Sequence, residues 1–310
     1  MRTGSLRTSL ALVGAAGAAL LLAGFPASSS LASTPTYTAG SIKHVVWILM
    51  ENRSESAIIG SSKAPYLNTL ATEYALATDD HNITHPSVPN YLALTSGLPL
   101  AALPTTDCTK CTQPGASLFT QGETWRAYEE SMTVPCSRVL SPDGLYYPKH
   151  NPALYFTQIP SATCTADDLP YTALADDLAE SDLPSFAFIA PNVMNDMHTG
   201  TIAQGDAWLA SNLPAILGSA AYQSGDTAVF ITWDEGTGTG HTAGTDCTSS
   251  PASTSCNVTL LAITPYTPAG ARATGYATHY SLTRLTEELL GLPPLDQAAT
   301  APDLSAPFGL

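Results

Sequence analysis

The run His44-Val45-Val46-Trp47-Ile48-Leu49-Met50 has no polar position after its first residue. A half-exposed strand alternates apolar and polar side chains, so this run predicts a strand covered on both faces, as inside a parallel sheet. Ser185 to Ala190, Thr227 to Trp233 and Val258 to Ile263 have the same character. Stretches of helical spacing lie around them. Pro65 stands near a helix start ahead of Leu67, Leu70 and Tyr74, and residues 203–217 carry Trp208, Leu209, Leu213 and Ile216. A last helix near 281–290 stops at Gly291, with Pro293 just beyond. Buried strands followed by helices predict an α/β fold, a mostly parallel central sheet with helices on both faces. Residues 99–180, rich in Pro, Thr and Cys, read as a long irregular insertion stapled by disulfides.

The first thirty-odd residues stand apart from this pattern. Arg2 and Arg7 form a positive segment, Leu10 to Phe25 is apolar, and Ser30-Leu31-Ala32 offers a small-x-small cleavage site. This is the pattern of a signal peptide over residues 1–32, cleaved after Ala32, with one domain over 33–310. The apolar run is shorter than the ~20 residues a spanning helix needs, which argues against a stable membrane anchor. All six cysteines lie beyond the leader. Export favours disulfides, and Cys247 and Cys256, flanking a Ser/Thr/Pro loop, are expected to pair. Cys108, Cys111, Cys136 and Cys164 leave three connectivities open. Without Arg2 and Arg7 the chain has nine basic and 26 acidic side chains, a formal charge of −17. Such a field repels nucleic acid and anionic lipid at long range.

In sheets of this kind ligands bind beyond the carboxyl ends of the strands. Polar residues gather there: Glu51-Asn52 after the first run, Pro191-Asn192 and Asp196-Met197-His198 after the second, and Asp234-Glu235-Gly236 after the third. Glu51, Asn52, Asp234 and Glu235 supply oxygen ligands without sulfur, a set suited to one divalent metal ion such as Mg²⁺, Mn²⁺ or Ca²⁺, with Zn²⁺ also admitted. In His85-Pro86-Ser87-Val88-Pro89-Asn90-Tyr91, Pro89 suits an early helical position. Ser87 then stands at a helix N-terminus, where free N–H groups and the dipole favour a phosphate and an alkoxide, or else is merely an N-cap. His85, His150, His198 and His279 lie near these signals or in polar loops, whereas His241, in a Gly/Thr loop, reads as a surface residue.

The blocks from His44 to Ser54, His85 to Tyr91, Lys149-His150-Asn151-Pro152, Pro191 to His198, Gly205 to Leu209, Thr232 to Glu235 and His279-Tyr280-Ser281 occur in one order over most of the chain. Together they resemble the phosphoesterase family that contains bacterial phospholipases C and secreted acid phosphatases. The resemblance implies an alkaline-phosphatase-like fold, a metal bound by Glu51, Asn52, Asp234 and Glu235, and Ser87 as nucleophile. It further implies His150, His198 or His279 as the acid for the leaving oxygen, with Asp196 orienting, and Asn90 and His85 at the phosphate. The phospholipase relatives carry Thr in place of Ser87 and a basic residue in place of Tyr91, so the expected activity is a secreted acid phosphatase forming a phosphoseryl intermediate. Its expected substrate is a small phosphomonoester or a phosphoinositide. A phospholipase C-type phosphodiesterase and a non-catalytic exported binding protein are the alternatives.

Overall fold

The computed structural model describes residues 1, 34–249 and 253–310. Apart from Met1, the signal peptide expected over 1–32 lies outside these residues. Among the described residues no helix is long and apolar enough to cross a membrane.

Nine strands form one sheet: β1 His44–Met50, β2 Ala75–His81, β3 Trp125–Glu129, β4 Asp168–Pro170, β5 Phe186–Ala190, β6 Thr227–Trp233, β7 Asn257–Ile263, β8 Arg272–Ala273 and β9 Ala277–Thr278. Their spatial order is β4-β3-β5-β1-β6-β7-β2-β8, with β9 beside β2. The strands from β4 to β6 are parallel, and β7 alone is reversed, pairing antiparallel with both β6 and β2. The reversal has a local cause. Among the described residues no helix intervenes between β6 and β7, and the connection carries the Cys247–Cys256 disulfide.

β1 lies between β5 and β6 in the middle of the sheet, and every residue after its His44 is apolar. Alternation along β1 sends Val45, Trp47 and Leu49 to one core layer and Val46, Ile48 and Met50 to the other. The first layer packs under the Ser87–Ser96 and His279–Leu290 helices, and Trp47 Nε1 donates to Thr286 Oγ1 at 3.0 Å. The second packs under the Pro65–Glu73 and Ile202–Leu217 helices. The latter begins with a capping box on Thr201, and the His279–Leu290 helix ends at Gly291 in the left-handed region, φ 69°.

Residues 99–180 depart from the expectation of irregular chain. They contribute β3 and β4, with helices at Ser161–Asp167 and Ala173–Glu180, beside the disulfides Cys108–Cys111 and Cys136–Cys164. β2 was equally illegible, because Ala75-Leu76-Ala77-Thr78-Asp79-Asp80-His81 is short of β-branched residues.

Several further acids are buried. Burial raises Asp168 and Glu287 to about 7 and pushes Asp80 and Glu129 well above the ordinary range. These groups keep protons in the fold that the unfolded chain releases near pH 4, so ionising them with rising pH costs stability. Below about pH 6.5 the buried imidazoles of His85, His150 and His279 and the half-buried one of His198, all lowered by burial, act in the opposite sense. The net decline is therefore expected above that pH. Melting temperature should fall between about pH 6.5 and 8.5, and Asp168→Asn should flatten the profile. A melting temperature rising over that interval would refute the assignment.

Candidate active site

Parallel register places the first residue past β1 beside the first past β6. Met50 pairs with Trp233, Asp234 N–H donates to Met50 O at 2.9 Å, and Asn52 N–H donates to Asp234 Oδ1 at 3.0 Å. Asn52 achieves this at φ 56°, a left-handed conformation that Asn tolerates. The loop after β5 folds back over the same ends, where Glu51 N–H donates to Asp196 O at 2.8 Å. Glu51, Asp196 and Asp234 are thus three buried carboxyls in one place.

Ser87 comes from the other side. β2 delivers residues 82–86 to this edge, and the Ser87–Ser96 helix begins there, with Pro86 rather than Ser87 as the capping residue. Ser87 Oγ donates to Glu51 Oε2 at 3.3 Å, Asn52 Nδ2 donates to the same oxygen at 3.0 Å, and Tyr91 Oη donates to Glu51 Oε1 at 2.6 Å. His150 Nε2 lies 3.2 Å from Glu51 Oε1, and its Nδ1 lies 3.5 Å from Asp196 Oδ2. Its ring stacks on Tyr91 and sits 5.3 Å from that of His198, whose backbone N–H donates to Asp196 Oδ1. His198 is the more exposed of the two imidazoles.

Glu235 joins a different group. One residue further along the chain, its Oε2 meets His85 Nδ1 at 2.5 Å and its Oε1 lies 3.4 Å from His241 Nε2. The expected four-residue ligand set is therefore divided: Glu51, Asn52 and Asp234 remain together while Glu235 faces the two imidazoles. Three further expectations change. His85, expected at the phosphate, is buried with both ring nitrogens engaged, by Glu235 and by Ser255 Oγ at 3.2 Å. Asn90 is saturated by backbone: its Oδ1 accepts from Ile83 and Thr84 N–H, and its Nδ2 donates to Thr84 and Pro86 O. It braces the turn that carries Ser87. His279 is fully buried with Nε2 on Asp234 O at 2.8 Å, so the main chain of Asp234, not a leaving group, faces it.

His241 is exposed, as its Gly/Thr loop suggests, yet its ring lies 4.3 Å from that of His85 at a tilt of 42°. Asp107 was also missed. Its Oδ1 accepts the Val88 N–H at 3.0 Å and its Oδ2 accepts from Lys149 Nζ at 2.6 Å, so the helix N-terminus already holds a carboxylate beside Ser87. Burial works to lower the Lys149 pKa, but Asp107, Glu51 and Asp234 prevail and raise it.

Burial, then Asp234 and Asp196, drives the Glu51 pKa well above the ordinary range. Burial and Glu235 raise Asp234 to about 7. Asp234 Oδ2 and Asp196 Oδ2 are buried without hydrogen-bond partners among the described residues. Clustered acids with orphaned oxygens fit a divalent cation, which would relieve their repulsion and satisfy those oxygens. Glu51, His150 and His198 present ligand atoms within 4.8 Å of one another, as do His85, Glu235 and His241. The donor chemistry admits hard and borderline ions alike.

Comparison with known proteins shows the family and the fold. Residues 61–293 match the sequence model of the Phosphoesterase family. The phosphatidylinositol-3-phosphatase of Mycobacterium tuberculosis is 32% identical over 97% of this chain and 94% of its own length. An acid phosphatase of Aspergillus fumigatus is 29% identical over 73% of this chain, which spans 50% of that protein. A crystal structure of a protein in the alkaline phosphatase superfamily from Vibrio parahaemolyticus superposes with a TM-score of 0.59 at 12% identity, covering 89% of this chain and 74% of the other. That likeness establishes the fold, and it is the fold expected from the sequence.

Proposed function

The chain belongs to the phosphoesterase family, and from that premise we propose that it is a secreted, metal-dependent acid phosphatase that cleaves phosphomonoesters, phosphoinositides among them, through a phosphoseryl intermediate. One observation carries the reading: a serine hydroxyl at a helix N-terminus, directed at Glu51 within a cluster of acids and imidazoles. Names borne by the relatives, a phosphatidylinositol-3-phosphatase and an acid phosphatase, support the substrate class.

Glu51, Asn52 and Asp234 would hold the cation, with His150 and His198 alongside. When bound, such an ion polarises the phosphoryl group and favours the alkoxide form of a serine. Ser87 Oγ gives its proton to Glu51, to which it already donates, and attacks phosphorus as the bond to the ester oxygen breaks, while a protonated imidazole supplies the hydrogen that the leaving oxygen requires. His198 is the residue best exposed for that transfer, and Asp196 Oδ1 accepts its backbone N–H while the His150 ring lies 3.5 Å from Oδ2. Water then cleaves the phosphoserine, returning a proton to Ser87 and releasing phosphate. Lys149, paired with Asp107 beside the start of the Ser87 helix, adds positive charge near the phosphate.

A monoester dianion presents more charge to this site than a diester monoanion, and the surrounding −17 field makes short-range attraction decisive. kcat/KM for p-nitrophenyl phosphate should exceed that for bis-p-nitrophenyl phosphate or phosphatidylcholine by about tenfold or more, which corresponds to ~1.4 kcal/mol. The preference should survive moderate salt. A larger value for either diester would replace this reading with a phospholipase C-type phosphodiesterase.

A further inference from the structure

Apart from Met1, the large hydrophobic side chains that the described residues leave exposed are Val134, Val139 and Leu140, at 56%, 68% and 53%. All three fall within one seven-residue segment, which also exposes Pro135 and Arg138. Scattered single exposures are ordinary, but concentration in one loop marks a contact surface. The loop is tightly held. Cys136 is bridged to Cys164 and donates its N–H to Asp168 O at 2.9 Å, while Ser137 O accepts from Tyr146 Oη at 2.6 Å. Its apolar side chains are therefore held outward on a braced frame.

The segment also borders the candidate site. It leaves β3 at the carboxyl end and returns through Tyr146 to Tyr147, whose ring lies 5.7 Å from His150 and 5.8 Å from His198. Arg138 forms no ion pair among the described residues, although the chain is strongly acidic. The loop's own acid, Asp143, is bound to Ser141 Oγ and the Leu145 N–H.

We propose that the 134–140 loop is an interfacial docking element that seats the protein on a phospholipid surface, bringing lipid-borne phosphomonoesters to Ser87; this rests on the phosphatase reading above. Three side chains on a loop tip fall well short of the ~800 Å² per partner that a stable protein–protein interface needs. A bilayer demands no such complementary shape. It accepts a few apolar side chains below its headgroups, with a neighbouring arginine extending to the lipid phosphates. The acidic remainder of the molecule is repelled by anionic headgroups, which orients the loop toward the surface. Adsorption of this size is weak and reversible rather than an anchor.

The test is co-sedimentation with sucrose-loaded vesicles, of phosphatidylcholine alone or doped with phosphatidylinositol 3-phosphate, comparing wild type with Val139→Ser/Leu140→Ser and with Arg138→Gln. The substituted side chains are exposed, so folding should be unaffected. Vesicle partitioning of the double variant should fall about tenfold. Hydrolysis of the vesicle-borne lipid should fall in parallel, while kcat/KM for p-nitrophenyl phosphate stays within about twofold. A short-chain soluble form of the same lipid should be cut equally well by both proteins, and Arg138→Gln should weaken binding mainly to the doped vesicles. Absence of wild-type sedimentation, or equal sedimentation of the double variant, overturns the proposal and leaves the surface to a protein partner. Sedimentation does not depend on turnover. A wild type that binds vesicles yet cleaves no phosphomonoester would support docking and refute the phosphatase reading.

Discussion

Ser87→Ala is expected to lower kcat by about a thousandfold or more while leaving the fold intact. Loss of function follows, on the proposed mechanism, from removing the oxygen that forms the phosphoseryl ester. Retention of the fold follows from the hydrogen-bond pattern. Pro86, not Ser87, is the helix N-cap, and the Ser87 hydroxyl makes one long bond of 3.3 Å to Glu51. No cap is lost, so the melting temperature should move by no more than about 2 °C. Asn90, Asp107 and the backbone continue to hold the turn. Acid-quenched wild type incubated with labelled substrate should retain phosphate on serine, and the variant should retain none. Activity of Ser87→Ala within a few-fold of wild type would end the nucleophile assignment.

Removal of divalent cations is expected to reduce turnover by about a hundredfold or more, with recovery when a suitable ion is restored. The physical reason lies in the acids themselves. Glu51, Asp196 and Asp234 are buried together; burial, with Asp234 adding to it, raises the pKa values of Glu51 and Asp196, burial with Glu235 raises that of Asp234, and Asp196 and Asp234 each leave a carboxylate oxygen unpartnered among the described residues. A bound cation stabilises only the folded arrangement. Adding the ion at ~100 times its Kd should therefore contribute ~2.7 kcal/mol and raise the melting temperature on the order of 5 °C, an effect readable without any substrate. Glu51→Gln should abolish that gain. Glu235→Gln should retain most of it, because Glu235 faces His85 and His241. Elemental analysis finding no metal in active protein, together with an unchanged melting curve, would discard the cation site.

The strand runs at 44–50, 185–190 and 227–233 determined a great deal before any coordinates. Their uniform apolar character required cover on both faces, which dictated a parallel sheet with helices on either side. Parallel strands end on one edge, so Glu51 and Asp234 had to approach one another, whereas Asp196 reaches them only because the loop after β5 folds back over that edge. The helix after Pro86 was similarly readable from Pro89 and the run that follows it. The Cys247–Cys256 pairing, implied by a short loop, is present as well.

Only the tertiary structure decided how those side chains were divided. Glu51 and Asp234 occupy equivalent positions past strands in register, whereas Glu235, one residue later, carries its carboxylate to His85 and His241. A pair of adjacent acids in sequence carries no sign of that separation, because backbone alternation acts on it only once the register is set. Asp107, Lys149 and His241 come from connections whose residues have no periodicity to read, and their positions follow from packing over many residues. β3 and β4 were hidden for a related reason. They are short strands at one side of the sheet, formed because β5 offers a pairing edge and the Cys136–Cys164 bridge tethers the intervening chain, neither of which local propensity records.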